Sequence, residues 1–248
     1  MTPFLFVTDL DNTLVGDDGA LELLNQRLSD HRQQYGTKIV YATGRSLFLY
    51  RQLASEKPLL PPDALITSVG TEIYLDNHNL CKPWTAVLSQ GWNREAVVTI
   101  ASKYEDLVLQ SESEQSTFKV SYNVTAAAAV EVVPKLKSDM AQNNLNVKVI
   151  YSGSTYLDLL PKQGDKGLAV KFLQQNWGIE DHFTVCCGDS GNDIALFSVG
   201  VGRGIIVGNA KQELRQWYEA NLKDYLYLAK TNYSAGILEG LQHFDFLE

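Results

Sequence analysis

Two aspartates at i and i+2, Asp9 and Asp11, close a short apolar run, Phe4-Leu5-Phe6-Val7-Thr8. In an extended chain that spacing puts both carboxylates on one side. Two such charges repel, so the pair makes most sense with a cation between or beside it. Asp189 and Asp193 follow a second apolar run, in Gly188-Asp-Ser-Gly-Asn192-Asp193, and offer the same hard oxygen ligands, suited to Mg²⁺. That loop lacks the spacing and terminal Glu of an EF-hand. Thr43 and the backbone N–H groups around Gly44 in Thr43-Gly44-Arg45 can hold phosphate oxygens, and Lys166, opening a helix, can bring a point charge to the same group. Taken singly, a turn accounts for Asp9/Asp11 better and for Thr43-Gly44-Arg45 equally well, and a solvated helix residue accounts better for Lys166.

These residues act together only if the fold gathers them. The run at 4–8 reads as a buried strand, 20–35 as a helix with Leu21, Leu24 and Leu28 on one face, 38–42 as a strand, 46–56 as a helix and 65–67 as a strand. After Lys166 a helix reaches to about 176, strands follow at 183–187 and 204–207, and a helix covers 211–220. Alternation of this kind predicts an α/β fold with a doubly wound parallel sheet. Ligands bind outside the carboxyl ends of such strands. Asp9/Asp11, Thr43-Gly44-Arg45, Gly70-Thr71-Glu72 and Asp189/Asn192/Asp193 all sit at predicted strand ends, so they can converge. Between them the pattern changes to helix at 84–104, strand at 118–122, helix at 126–142 and strands at 147–151 and 156–160. This predicts an α+β module at 81–160 inserted into a core formed by 1–80 and 161–248.

Composition narrows the classes. The chain has 248 residues, 45% of them hydrophobic, and a formal net charge of −8, which argues against nucleic acid and anionic membranes as partners. Three cysteines without framework spacing and no secretory leader point to a cytoplasmic setting. No run approaches the length of a membrane span. Gly200-x-Gly202-x-Gly204 fails the dinucleotide fingerprint, since Ile205 takes the third glycine position.

In order along the chain, Asp9-Leu-Asp11-Asn-Thr13, Thr43, Lys166 and Gly188-Asp189-Ser-Gly-Asn192-Asp193 resemble the four motifs of haloacid-dehalogenase-type phosphatases. The whole chain is similar to the sucrose-phosphate phosphatase family of cyanobacteria and plants, through DLDNTLVGD at 9–17, YATGRS at 41–46, TSVGTEIY at 67–74, KVSYN at 119–123, DLLPKQGDKG at 158–167 and CGDSGND at 187–193. The resemblance implies a Rossmann-like core with a specificity cap. Asp9 would be the nucleophile, Asp11 the general acid and base, and Thr43 and Lys166 the stabilisers of the transferring phosphoryl group. Mg²⁺ would be held by Asp9, Asp11, Asp189 and Asp193. It also implies a monomeric enzyme acting on a sugar phosphate, with sucrose-phosphate synthase as a partner to test. Substrate contacts are expected from Thr43, Gly44, Arg45, Lys166 and Asn192, and from Glu72, Lys119 and Tyr122, with Gln115 and Asn123 behind them.

Overall fold

The computed structural model describes residues 2–76, 79–199 and 202–248; Gly200, in the glycine set above, lies outside them. In chain order the elements are β1 (Leu5–Thr8), α1 (Asp18–Tyr35), β2 (Lys38–Ala42), α2 (Leu47–Glu56), β3 (Ala64–Thr67), β4 (Glu72–Leu75), β5 (Asn79–Leu80), α3 (Lys82–Leu88), α4 (Arg94–Ala101), β6 (Val108–Leu109), β7 (Val120–Asn123), α5 (Ala126–Gln142), β8 (Val147–Ser152), β9 (Tyr156–Pro161), α6 (Lys166–Trp177), β10 (Thr184–Gly188), α7 (Ile194–Ser198), β11 (Arg203–Ile206), α8 (Gln212–Ala220), β12 (Leu226–Leu228) and α9 (Tyr233–His243).

The larger sheet runs β12-β11-β10-β1-β2-β3-β4-β5. Its first six strands are parallel, and β4 and β5 add an antiparallel margin. Side chains alternate across it as a period of two demands. Leu5 and Val7 face α3, α6, α7 and α8, whereas Phe4 and Phe6 face α1, α2 and α9. Both faces are thus covered, which explains why the strands read as apolar runs rather than alternating ones. The tail packs down through Phe246, whose ring lies 4.7 Å from that of Phe4.

The smaller sheet, β6-β7-β9-β8, is antiparallel. One face packs Val120, Tyr122, Leu157 and Leu159 against Val97 and Ile100 of α4 and Leu136 and Met140 of α5. Helix α3 lies within the 81–160 segment, yet its Trp84 and Leu88 pack in the core of the larger sheet.

The sequence pattern omits the reversal after β3. Ser68, Val69 and Gly70 take successive left-handed φ values of 52°, 60° and 98°. A β-branched residue in that region is strained. Here the turn is held by bonds from Val69 N–H to the Thr43 carbonyl, from Ser68 N–H to the Arg45 carbonyl and from Trp84 Nε1–H to the Gly70 carbonyl.

Candidate active site

Strand order β10-β1-β2-β3 sets four carboxyl ends side by side, with the chain progressing outward in opposite directions from β1 and β10. This is the switch point at which open α/β sheets hold ligands. At its floor Asp9, Asp189 and Asp193 are buried, and one carboxylate oxygen from each lies within 4.8 Å of the others. Lys166, fully buried, donates to Asp9 Oδ1 at 2.6 Å and to Asp193 Oδ1 at 2.7 Å. Thr13 Oγ1 donates to Asp189 Oδ1 at 3.2 Å. Asp193 Oδ2 accepts the N–H groups of Asp189 and Ser190 at 3.0 and 3.1 Å, so this carboxylate also builds its own loop.

Two glycines make the convergence possible. A Cβ on Gly188 would stand 2.5 Å from that of Asp193, so only hydrogen leaves room for this carboxylate beneath the loop. A Cβ on Gly70 would stand 2.1 Å from the Asp165 carbonyl carbon and 2.4 Å from the Lys166 nitrogen. Asp165 in turn caps α6, accepting the Leu168 N–H at 2.7 Å. The turn after β3 therefore seats the helix that presents Lys166. Gly70→Ala should cost about 2–5 kcal/mol, the sum of left-handed strain and overpacking. Denaturant unfolding measures that cost, and an unchanged midpoint would contradict the seating role.

Burial pushes Asp9 up to about 7; Lys166 opposes the shift and Asp193 adds to it. Burial likewise pushes Asp189 up to about 8, with Asp193 and Asp9 adding repulsion. Burial also pulls Lys166 down, but Asp193 and Asp9 outweigh it, so its ammonium is strengthened overall. One lysine therefore leaves negative charge uncompensated among three buried acids, and oxygen donors of this kind suit a hard divalent cation.

Above the floor is a cavity of about 490 Å³, within the range of small-molecule sites. Asp9, Asp11, Gly44, Arg45, Asp189 and Asn192 line its core side. The Asp11 carboxylate stands apart from the acidic cluster: Arg45 Nε and Nη2 each donate to it at 2.8 Å. Both members of the i, i+2 pair line the cavity, Asp9 at the acidic cluster and Asp11 beside Arg45. Thr43 is buried, and its Oγ1 accepts the Arg45 N–H at 3.1 Å.

The opposite wall comes from the smaller sheet. Lys119, almost fully buried, points its Nζ to the Gly44 carbonyl at 3.4 Å, to Glu114 at 3.6 Å and to Asp158 at 4.0 Å. Tyr122 is not among the residues around this cavity. Three positions from Lys119, it has opposite parity on the strand and packs in the core of the smaller sheet. Glu72 also stands away from the cavity, accepting from Thr67 Oγ1 at 2.9 Å and Tyr74 Oη at 3.2 Å. Gln115 is occupied with backbone, bonding both the N–H and the carbonyl of Ser121.

Sequence reasoning missed Asp158, Gln110, Glu114, Tyr156 and Lys211, which all line the cavity. Asp158 carried a usable signal: it is an acid within the otherwise apolar run Leu157 to Leu160. It pairs in register with Ser121, whose Oγ donates to it at 2.6 Å. Gln110 and Glu114 lie outside any periodic run and gave no such signal.

Comparisons place these features among known proteins. Sucrose-phosphatase 1 of Nicotiana tabacum is 40% identical over 250 residues, covering 97% of this chain. The chain spans only 59% of the length of that plant relative. Mannosylfructose-phosphate phosphatase of Agrobacterium fabrum is 30% identical over 242 residues, covering 96% of both chains. The solved structure of the sucrose-phosphatase from Synechocystis, in complex with sucrose and phosphate, superposes with a TM-score of 0.93 at 40% identity and covers 99% of each chain. The sequence profile of sucrose-6F-phosphate phosphohydrolase matches residues 2–245, so nearly the whole chain, with its buried acids at the strand tips, belongs to the sucrose-6F-phosphate phosphohydrolase family.

Proposed function

We propose that this protein is a Mg²⁺-dependent phosphatase that converts sucrose 6F-phosphate to sucrose and phosphate. The observation carrying this reading is the buried Asp9, Asp189 and Asp193 cluster at the floor of a cavity large enough for a small molecule. Asp9 Oδ1 is engaged by Lys166, and its carboxylate attacks the phosphorus as the bond to the sugar oxygen breaks. Asp11, oriented at the cavity wall by Arg45, gives a proton to the departing sugar oxygen and then takes one from the water that releases phosphate from Asp9. Lys166 and Thr43 steady the transferring oxygens, and Asn192 orients its neighbours. Gly44 and Arg45 hold the ester in place, and the segment 81–160 serves as the specificity cap over the core of 1–80 and 161–248.

Asp9, Asp189 and, through its remaining capacity or a water, Asp193 are the residues that would hold Mg²⁺; Asp11 fits this role only through its backbone carbonyl. When bound, the ion offsets charge between nucleophile and phosphate. The raised values of Asp9 and Asp189 make metal binding compete with protons. Their folded values lie above the ordinary 3.8, so their contribution to stability without metal is full at acid pH and is lost as pH rises through about 7 to 8. Mg²⁺ affinity should therefore rise at least about tenfold between pH 6 and 8, as a proton leaves Asp9 and Asp189 begins to lose its own. Titration calorimetry at the two pH values measures this, and equal affinities would contradict it.

A second reading rests on the relative named mannosylfructose-phosphate phosphatase: the preferred ester could be another fructosyl disaccharide phosphate. Phosphate release from a panel of trehalose, mannosylfructose, glucosylglycerol and sucrose phosphates separates the readings. Fastest turnover of sucrose 6F-phosphate supports the first, and fastest turnover of any other ester overturns it. The proposal includes a cytoplasmic, monomeric protein that meets sucrose-phosphate synthase, the supplier of its substrate. Among the described residues no helix is long and apolar enough to cross a membrane.

A further inference from the structure

The turn between β8 and β9 reaches from the smaller sheet to α8. At its tip Gly153, with φ 58°, donates its N–H to Glu213 Oε1 at 2.8 Å. Glu213 lies in the first turn of α8. Gly191, in the acidic loop, is pressed into the same junction: a Cβ there would stand 3.1 Å from the Tyr151 carbonyl oxygen and 3.2 Å from Glu213 Cγ. Lys211, just ahead of α8, donates its N–H to the Asp189 carbonyl at 2.7 Å. Ser152, Gly153, Tyr156 and Lys211 all line the cavity. One hydrogen bond thus joins a wall of the cavity to the helix that backs the acidic loop.

We propose that Glu213 is a positioning residue whose carboxylate latches the β8–β9 turn onto the larger sheet and so holds the cavity closed over a sugar ester. This rests on the phosphatase reading above. An ionised acceptor makes the backbone bond stronger than a neutral one would. Glu213 is absent from the acidic cluster and from the cavity lining; its carboxylate acts through the turn, while its Cγ, kept in Glu213→Gln, packs beside Gly191. Its removal should loosen the enclosure without touching the reacting groups. A small ester that needs no enclosure should be indifferent to it.

The test compares wild type, Glu213→Ala and Glu213→Gln in two ways. In amide hydrogen exchange, residues 151–156 should lose protection in Glu213→Ala while β1 and β10 keep theirs. In kinetics, KM for sucrose 6F-phosphate should rise about tenfold in Glu213→Ala, the scale of one lost charge-assisted bond, with p-nitrophenyl phosphate hydrolysis unchanged. Glu213→Gln retains an oxygen that accepts the Gly153 N–H and should restore most of both. Unchanged protection of 151–156 in Glu213→Ala overturns the latch. Hydrolysis of neither ester by the wild type overturns the phosphatase reading instead, and the exchange comparison still decides the latch.

Discussion

Asp9→Asn should reduce phosphate release by about 10⁴- to 10⁶-fold, the range found when single members of a catalytic unit are removed. The amide is nearly isosteric but cannot form an acyl phosphate. Its NH₂ would also face the Lys166 ammonium, which now donates to Asp9 Oδ1 at 2.6 Å, unless the amide oxygen takes that place. Because Asp9 is pushed up to about 7 by burial, removing its charge should not weaken the fold. At pH 8 the metal-free variant should be at least as stable as the wild type, since it is spared the cost of ionising a buried acid. Steady-state release of phosphate and thermal unfolding at pH 8 measure the two effects. Activity within tenfold of wild type would remove Asp9 from the nucleophile's role.

Lys166→Met carries the second largest effect, and here activity and stability fall together. Loss of one preorganised donor to a transferring group costs about 2.7–4 kcal/mol, or about 10²- to 10³-fold in kcat. Lys166 is also the cation that partners Asp9 and Asp193 directly, at 2.6 and 2.7 Å, with no side-chain exposure. Removing one partner of a buried ion pair costs about 3–5 kcal/mol, because the remaining charge is left without compensation. That loss should be deepest above pH 7, where the carboxylates ionise, and partly offset by millimolar Mg²⁺. Urea unfolding at pH 6 and 8, with and without the ion, follows both dependences. A variant with wild-type kcat would show that the lysine is only a strut.

The core of this site was legible because its residues sit where strand periodicity ends. Asp9, Thr43 and Asp189 each terminate an apolar run, and parallel order alone brings such ends together. Lys166 was visible as the first residue of a helix, although its complete burial was not, since nothing local distinguishes it from a solvated lysine. The anchoring of Asp11 by Arg45 was hidden because the two lie 34 positions apart. On the smaller sheet the parity rule itself separates Lys119 from Tyr122. The two were paired by chemical type, whereas their spacing of three puts them on opposite faces.

The rest of the fold was obscured for physical reasons. Helix α9 contains Gly236 and Gly240, residues that weaken a helix interior. A Cβ on Gly240 would meet Ile205 at 2.6 Å, so close packing on β11 requires the residue that conceals the helix. Strands β5 and β6 have only two residues each and β12 three, too few for any period to register. The β3–β4 reversal depends on three successive left-handed residues, one of them valine, which no local preference announces.

Rapid mixing of the Mg²⁺-loaded protein with sucrose 6F-phosphate, followed by an acid quench and peptide mass mapping, tests the central claim most directly. One phosphoryl group should appear on the peptide carrying Asp9, within the first turnover, and be absent from Asp9→Asn. Turnover at full rate with no phosphoryl group on any carboxylate, or with the label on a residue away from the β1 tip, would contradict it.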